Sequence, residues 1–371
     1  MTMWARIVAL VIKEFLALLR DKASRFVLIG PPVIQLLVFS YAASFDLNHI
    51  PYAVYNQDAG FASRELLARF TGSSTFEQVA TVRDEARIAP LIDDKAALLV
   101  LRIGPHFTRD LLAHRPAKVQ ILIDGRDSNT ASLALNDANG VLLAFNQHWA
   151  ATHGWQAPPA RLDIRPWFNP NLLSRWFIVP GLVALLTLVV TLLVTGLSVA
   201  REREMGTFDQ LLVTPMRPAE ILLGKAIPGF IIGGLEGAFI ALMAVAWFHV
   251  PFVGSVLALA LGMFFFLLAA IGIGLMISSL AVTQQQGLLG VFLFMVPSII
   301  LSGFATPIAN MPEAVQMLTT INPLRYLLVI VRGVFLEGSG VSALASQYWP
   351  LALIGLASMT AAAWLFRHRS S

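Results

Sequence analysis

The chain has 371 residues, 57% hydrophobic and only 13% charged, with a mean hydropathy of +0.71 and a formal charge of +4. Soluble globular domains carry about 25% charged residues, so the composition excludes an ordinary soluble protein and predicts a polytopic membrane protein. The positive balance reflects orientation in the bilayer, not nucleic-acid binding, and the absence of cysteine excludes disulfides and thiolate metal sites.

Residues 1–22 set Trp4, Ile7, Val8, Val11, Ile12, Phe15, Leu18 and Leu19 at helical spacing, with Arg6, Lys13, Arg20 and Lys22 on other faces. That pattern predicts an amphipathic helix lying in the cytoplasmic membrane interface. A first transmembrane helix follows over 26–45. It starts too late and runs too long for a cleaved signal sequence, although Tyr41-Ala-Ala-Ser44 closes it.

Residues 46–175 form the one large polar section. Strand patterns at 51–55, 75–82, 96–102 and 118–123 alternate with helix patterns. The helices are expected at 63–69 (capped by Ser63), 105–112 (opened by Pro105) and 129–149. This alternation predicts an inserted α/β domain outside the cytoplasm, closed by a return containing Pro158, Pro159, Pro166 and Pro170. Asp124, Asp127 and Asn129 invite a calcium reading, but the spacing and terminal Glu of an EF-hand are missing. They suit a strand end, a turn and a helix cap.

The second span, 176–200, has no charged residue. A loop at 201–225 leads into 226–306, which holds the third to fifth spans; the apolar runs themselves cover 221–249, 256–282 and 287–306. No Asp, Glu, Lys or Arg occurs between Gly237 and Pro312. Residues 307–346 are apolar but interrupted at Asn322-Pro323, and predict two short helices, 308–320 and 323–336, dipping into the outer leaflet. A sixth span at 347–366 precedes the tail 367–371. Each run approaches or exceeds the roughly 20 residues needed to cross a bilayer. Lys and Arg in the short loops number eleven on the side of residues 1–25, 201–225 and the tail, against Arg325 and Arg332 opposite. The expected fold is therefore a six-span α-helical membrane protein with both termini cytoplasmic and an inserted α/β extracytoplasmic domain.

The 201–225 loop opens Arg201-Glu-Arg-Glu-Met-Gly-Thr-Phe-Asp-Gln-Leu-Leu-Val-Thr-Pro215. Gly206 suits a helix stop, and Thr207 with Gln210 fits a capping box. Phe208, Leu211 and Leu212 then share one face of a short helix that Thr214-Pro215 ends. Such a face either docks in a partner's groove or is an ordinary amphipathic connection.

This stretch resembles the signature of ABC-2 type transporter permeases, in which an R-E-R-E-x-G-T-x-x-Q-L-L-x-T-P segment precedes the third span. Leu301-Ser-Gly-Phe-Ala-Thr-Pro307 and Asn322-Pro-Leu-Arg-Tyr326 with Arg332-Gly333 resemble the same family, which marks Ser302, Gly303, Pro307, Asn322, Pro323 and Arg332 as structural motif residues. Leu122-Ile-Asp-Gly-Arg-Asp-Ser-Asn-Thr-Ala131 looks like the drug-efflux subgroup with a large insertion after its first span. The resemblance implies that Arg201, Glu202, Arg203, Glu204, Gly206, Thr207, Phe208, Gln210, Leu211 and Leu212 contact a cytoplasmic ATP-binding subunit. It also implies a second permease copy or paralogue, a bacterial inner-membrane location, and a periplasmic adaptor as a further partner.

No Gly-x-x-x-x-Gly-Lys-Ser/Thr occurs in the chain, so Mg-ATP is expected in the partner subunit and no cofactor here. Gly224-Lys225 lacks the upstream Gly and continues with Ala226. Glu236 is the only carboxylate deep in a span. A charge there costs about 2.5–3.5 kcal/mol on insertion scales, so it is expected to face the bundle interior or to be protonated. Thr187, Thr191, Glu236 and Ser298 are the expected substrate-pathway residues of an exporter of amphipathic drugs or lipid-like molecules. Two other readings compete: a membrane-anchored receptor or scaffold, and a proton-coupled secondary transporter working through Glu236.

Overall fold

The computed structural model describes residues 2–20, 22–42, 49–126, 128–155, 168–169, 173–208, 210, 214 and 216–369, without the side chains of 22–24, 27, 28, 42, 128, 129 and 369. The expectations for Asp127, Leu211, Leu212 and most of the Pro-rich return lie outside these residues. Two compact units are present, Met1–Ser44 together with Pro166–Ser371, and Phe45–Arg165.

The first unit begins with α1 (Met3–Arg20) and α2 (Lys22–Ala42). In α1 the predicted apolar stripe is divided, with Ile7 and Leu18 buried while Trp4, Val8, Ile12 and Leu19 are exposed; Leu10, outside that stripe, is buried too.

The second unit is an α/β domain: β1 (Ile50–Asn56), α3 (Phe61–Thr71), β2 (Phe76–Thr81), α4 (Ile88–Asp93), β3 (Leu99–Ile103), α5 (Phe107–Leu112), β4 (Val119–Ile123) and α6 (Ser128–Thr152). The sheet order is β2-β1-β3-β4, with β1 parallel to β2 and β3 and β4 antiparallel to β3. Alternation along the central strands assigns the two faces. Tyr52, Val54, Leu99, Leu101 and Ile103 pack with Phe70, Phe145 and Trp149 from α3 and α6, while Ala53, Tyr55 and Val100 meet Ile88 on the other side. Burial on both faces explains why β1 and β3 read as near-continuous apolar runs. Full burial of a side chain such as Phe70 contributes about 1.5–3 kcal/mol. Ser63, expected as the cap of α3, lies one turn inside it; Gly60 is the N-cap. The Ser63 hydroxyl donates to the carbonyls of Gly60 and Asp58.

The first unit resumes with α7 (Ser174–Gly196) and α8 (Ser198–Glu204), followed by α9 (Pro218–Ala246), α10 (Val256–Leu280), α11 (Gln284–Ile300), α12 (Glu313–Leu318), α13 (Pro323–Arg332) and α14 (Ala345–Arg369). Among the described residues four helices are long and apolar enough to cross a membrane: Ser174–Glu204, Pro218–Ala246, Val256–Leu280 and Ala345–His368. The expected spans 26–45 and 287–306 coincide with shorter apolar helices, Ile29–Tyr41 and Gln284–Ile300. Helix starts follow local chemistry. Pro218 opens α9 with the Glu220 carboxylate accepting from Arg217 N, while Ser255 and Thr283 cap α10 and α11 through Ala258 N and Gln286 N.

Helix α7 is apolar all round and packs against α2, α9, α10, α11 and α13, as a helix without a polar face must. Glycines permit the close crossings. A side chain at Gly272 of α10 would run into Ser358 and the backbone of Met359 in α14. The expected 308–320 and 323–336 helices form a pair, Glu313–Ile321 and Pro323–Glu337, bent by 84°. Asn322 and Pro323 make the corner, because the residue before proline is driven out of the helical region.

Candidate functional site

The Arg201–Gln210 segment is built as a stiff extension of the bundle. Helix α8 ends in a Schellman turn: Thr207 N bonds Glu202 O and Gly206 N bonds Arg203 O, with Gly206 at φ +68°. The Thr207 hydroxyl also donates back to Glu202 O, and helical backbone resumes at Phe208, so Thr207 joins the end of α8 to the turn that the sequence pattern has it opening. Arg203 donates to the carbonyls of Ser279 (2.9 Å) and Ala281 (3.2 Å), and its guanidinium lies 4.9 Å from the Phe208 ring centroid. Gln284 N donates to Glu204 Oε2 at 2.7 Å, and Arg201 Nε to Gln284 Oε1 at 3.4 Å. The segment is therefore tied to the junction of α10 and α11. Phe208, expected on a partner-docking face, is 7% exposed and packs edge-on against Phe366 of α14. Among the described residues of this turn, Glu204, Met205, Gly206 and Gln210 are exposed.

Glu202 is buried because it belongs to an ion cluster. Lys225 of α9, whose side chain is wholly buried, lies 2.7 Å from Glu202 Oε2 and 3.1 Å from Glu14 Oε1. Its Nζ also reaches the Ser198 hydroxyl (3.2 Å) and carbonyl (3.4 Å). The Glu202 approach is a close ion pair lying off the hydrogen-bonding angle. Lys13 pairs with the other Glu202 oxygen. A second bridge, Arg6 to Glu220 at 2.9 Å, sits two turns earlier. With Leu10 against Gly224 and Leu18 against Ile232, these contacts run α1 alongside the first half of α9. The helix expected at the membrane interface is thus also an arm bound to the third predicted span. Apart from Glu202, the cluster lies outside the site residues expected from sequence, where Lys225 counts as a loop charge. The available signal was Glu14, the one acid in α1, and Lys225 inside an apolar run.

The four pathway candidates do not form one site. Thr187 and Thr191 are fully buried, and their hydroxyls, unpartnered among the described residues, are turned to Gly237 and Gly233 of α9. Glu236 faces elsewhere, into a cavity of ≈ 470 Å³ that Arg25 also lines. Its Oε1 has no hydrogen-bond partner among the described residues. Ser298 belongs to the bent corner: its hydroxyl donates to Phe294 O, and its carbonyl accepts from Asn322 Nδ2 at 2.7 Å.

That corner gathers most of the other motif residues. Asn322 Oδ1 caps α13 by accepting from Leu324 N at 3.1 Å. Ser302 Oγ donates to Ile299 O and accepts from Phe304 N, and Gly303 adopts φ +84°. Pro307 starts a one-turn 3-10 helix at Ile308–Asn310. Arg332 stacks on Phe177 with 4.0 Å between its guanidinium carbon and the ring centroid. These are turn, cap and packing contacts.

Among the described residues no group of three or more His, Asp or Glu is placed to hold a metal ion. Asp124 is engaged by Arg126, whose backbone N, Nε and Nη2 all donate to it. Those hydrogen bonds hold its carboxyl at about 2, below the ordinary 3.8.

Comparison with known proteins assigns the family. The profile of the ABC-2 family transporter proteins matches residues 22–364. The chain is 38% identical over 368 residues (99% of this chain, 100% of the relative) to the probable multidrug ABC transporter permease YbhR of Escherichia coli. It is 32% identical to YbhS of the same organism, another probable multidrug ABC transporter permease, over 91% of this chain and 90% of that one. The inner membrane transport permease YhhJ of Escherichia coli is 29% identical over 96% of this chain and 95% of its own length. Full-length similarity to these permeases, on a bundle of long apolar helices with the motif residues at its turns, makes this chain a member of the ABC-2 transporter family.

Proposed function

We propose that this chain is the membrane-spanning permease subunit of an ATP-driven ABC-2 exporter in a bacterial inner membrane, with both termini cytoplasmic. A separate cytoplasmic subunit binds and hydrolyses Mg-ATP. A second permease copy or a paralogue completes the pathway, and the α/β domain stands in the periplasm, where an adaptor can dock. Amphipathic drugs or lipid-like molecules are the substrates, in keeping with the multidrug names of YbhR and YbhS.

One observation carries the reading. The Arg201–Gln210 turn is joined through Glu202 to Lys225 and Lys13, and through Arg203 and Glu204 to the chain between α10 and α11. A push on its exposed Met205 and Gln210 therefore moves α1, α7, α9 and α10 together. That is the connection alternating access by rigid-body tilting requires. Burial of Phe208 moves the docking role within the turn to Met205, 58% exposed.

The test combines affinity purification from native membranes with transport into inverted vesicles. Wild type recovers an ATP-binding chain and accumulates a lipophilic dye on ATP addition, with a protonophore present. Met205→Asp retains its melting temperature yet loses most of both signals. Uptake that follows the proton gradient instead supports the secondary-transporter reading. If cross-linked wild type recovers no ATPase and shows no uptake, the chain is not a permease of this kind.

A further inference from the structure

The cavity beside Glu236 lies between α1, α2 and α9, and its composition is lopsided. Phe15, Leu18, Ile29, Val33 and Ile232 are among its walls, and Arg25 and Glu236 are the ionisable lining groups among the described residues. Its open side is framed by Ile29, Leu235 and Phe239, which are 67%, 66% and 41% exposed. Leu235 and Phe239 stand on a helix of membrane-spanning length and Ile29 on a shorter apolar one, and such exposed apolar residues suit lipid contact. The volume, ≈ 470 Å³, falls in the range of drug-sized ligand sites, roughly 300–1,000 Å³.

Three features select the occupant. Lipid-facing walls admit an apolar body from the bilayer. Glu236 Oε1 is inaccessible to solvent and unpartnered among the described residues, so it offers a dry acceptor that a cationic donor satisfies. Arg25, exposed at the start of α2, is not paired with Glu236 although both line the cavity. A ligand that brings an anionic end to Glu236 is repelled; one that brings a cationic end is matched. A plain acyl chain would fill the walls and leave Glu236 unanswered.

We propose that this cavity is a binding site for cationic amphiphiles entering from the inner leaflet, with Glu236 as the counter-ion and the α1–α2–α9 walls holding the apolar body. The site deepens the exporter reading by naming a substrate class and an entry side, and it rests on that reading only for its role in transport. Binding itself needs no ATPase.

The test uses the purified full chain in lipid nanodiscs, with rhodamine 6G as the probe, followed by fluorescence polarisation. Saturable binding is expected, displaced by dodecyltrimethylammonium and not by dodecyl sulfate. Glu236→Gln should weaken it about 10- to 100-fold, the loss expected for one charge-assisted contact. Ile232→Trp, which fills the cavity and keeps the carboxylate, should weaken it comparably; unchanged melting temperatures exclude misfolding. Wild-type affinity in both variants, or equal displacement by dodecyl sulfate, overturns the site. ATP-driven uptake that persists with Glu236→Gln binding normally would sink this proposal and leave the exporter intact. Binding that behaves as expected without ATP-driven uptake does the reverse.

Discussion

Replacing Lys225 by Met leaves Glu14 and Glu202 facing each other with their principal counter-charge gone. The Lys225 side chain has no exposure, and those of Glu14 and Glu202 have 12% and 5%, so both carboxylates are left largely desolvated. Removing one member of a buried ion pair typically costs about 3–5 kcal/mol. Lys13 remains on Glu202 but is 48% exposed, which places the expected loss near the lower end, about 3 kcal/mol. At about 2–4 °C per kcal/mol for a body of 150–250 residues, the melting temperature in detergent should fall by about 6–12 °C. The assay is monodispersity on size-exclusion chromatography after stepwise heating. The companion variant Lys225→Met/Glu14→Gln/Glu202→Gln removes the stranded charges and should recover at least half the loss. A single variant melting within about 1 °C of wild type, or a triple variant no better than the single, would refute the claim that this cluster locks α1 and the loop to α9.

Gly206→Ala adds a methyl into open space at φ +68°, so its cost is backbone strain alone, about 1 kcal/mol. Gly206→Asn should cost less, and comparing the two in the same melting assay isolates the strain. Asn322→Ala removes the α13 cap and strands Ser298 O, buried at the bent corner; a loss of about 2 kcal/mol is expected, read as a melting shift of about 4–8 °C. For Asp124 the folded carboxyl titrates at about 2 against an ordinary 3.8, because of the hydrogen bonds from Arg126. Its contribution is therefore complete above pH 3.8 and disappears as pH falls through 2. Arg126→Ala should return the Asp124 carboxyl resonance in a 13C-labelled sample to ordinary titration; persistence of the low midpoint would assign the depression to another group.

Periodicity and charge largely determined what a one-dimensional reading can. All four strands appear within two or three residues of their patterned positions, because a strand buried on both faces must be apolar along its length. Helices α7, α9, α10 and α14 appear where apolar runs demanded them, since a bilayer-spanning helix needs about 20 apolar residues. Gly206 and the Asn322-Pro323 corner were legible because their backbone preferences are local.

Only the tertiary structure decided which side chains meet. Lys225 and Glu14 are 211 positions apart, and nothing in either neighbourhood names the other. Phe208 has the sequence pattern of a docking residue, yet its ring is occupied by Phe366 from the far end of the chain. Thr187 and Thr191 lie on α7 and Glu236 on the neighbouring α9, but the rotation of the two helices about their axes turns the threonines to glycine and Glu236 to the cavity. A sequence fixes which residues lie along a helix and how apolar they are; the angle at which each helix faces its neighbours is set by packing summed over the whole bundle.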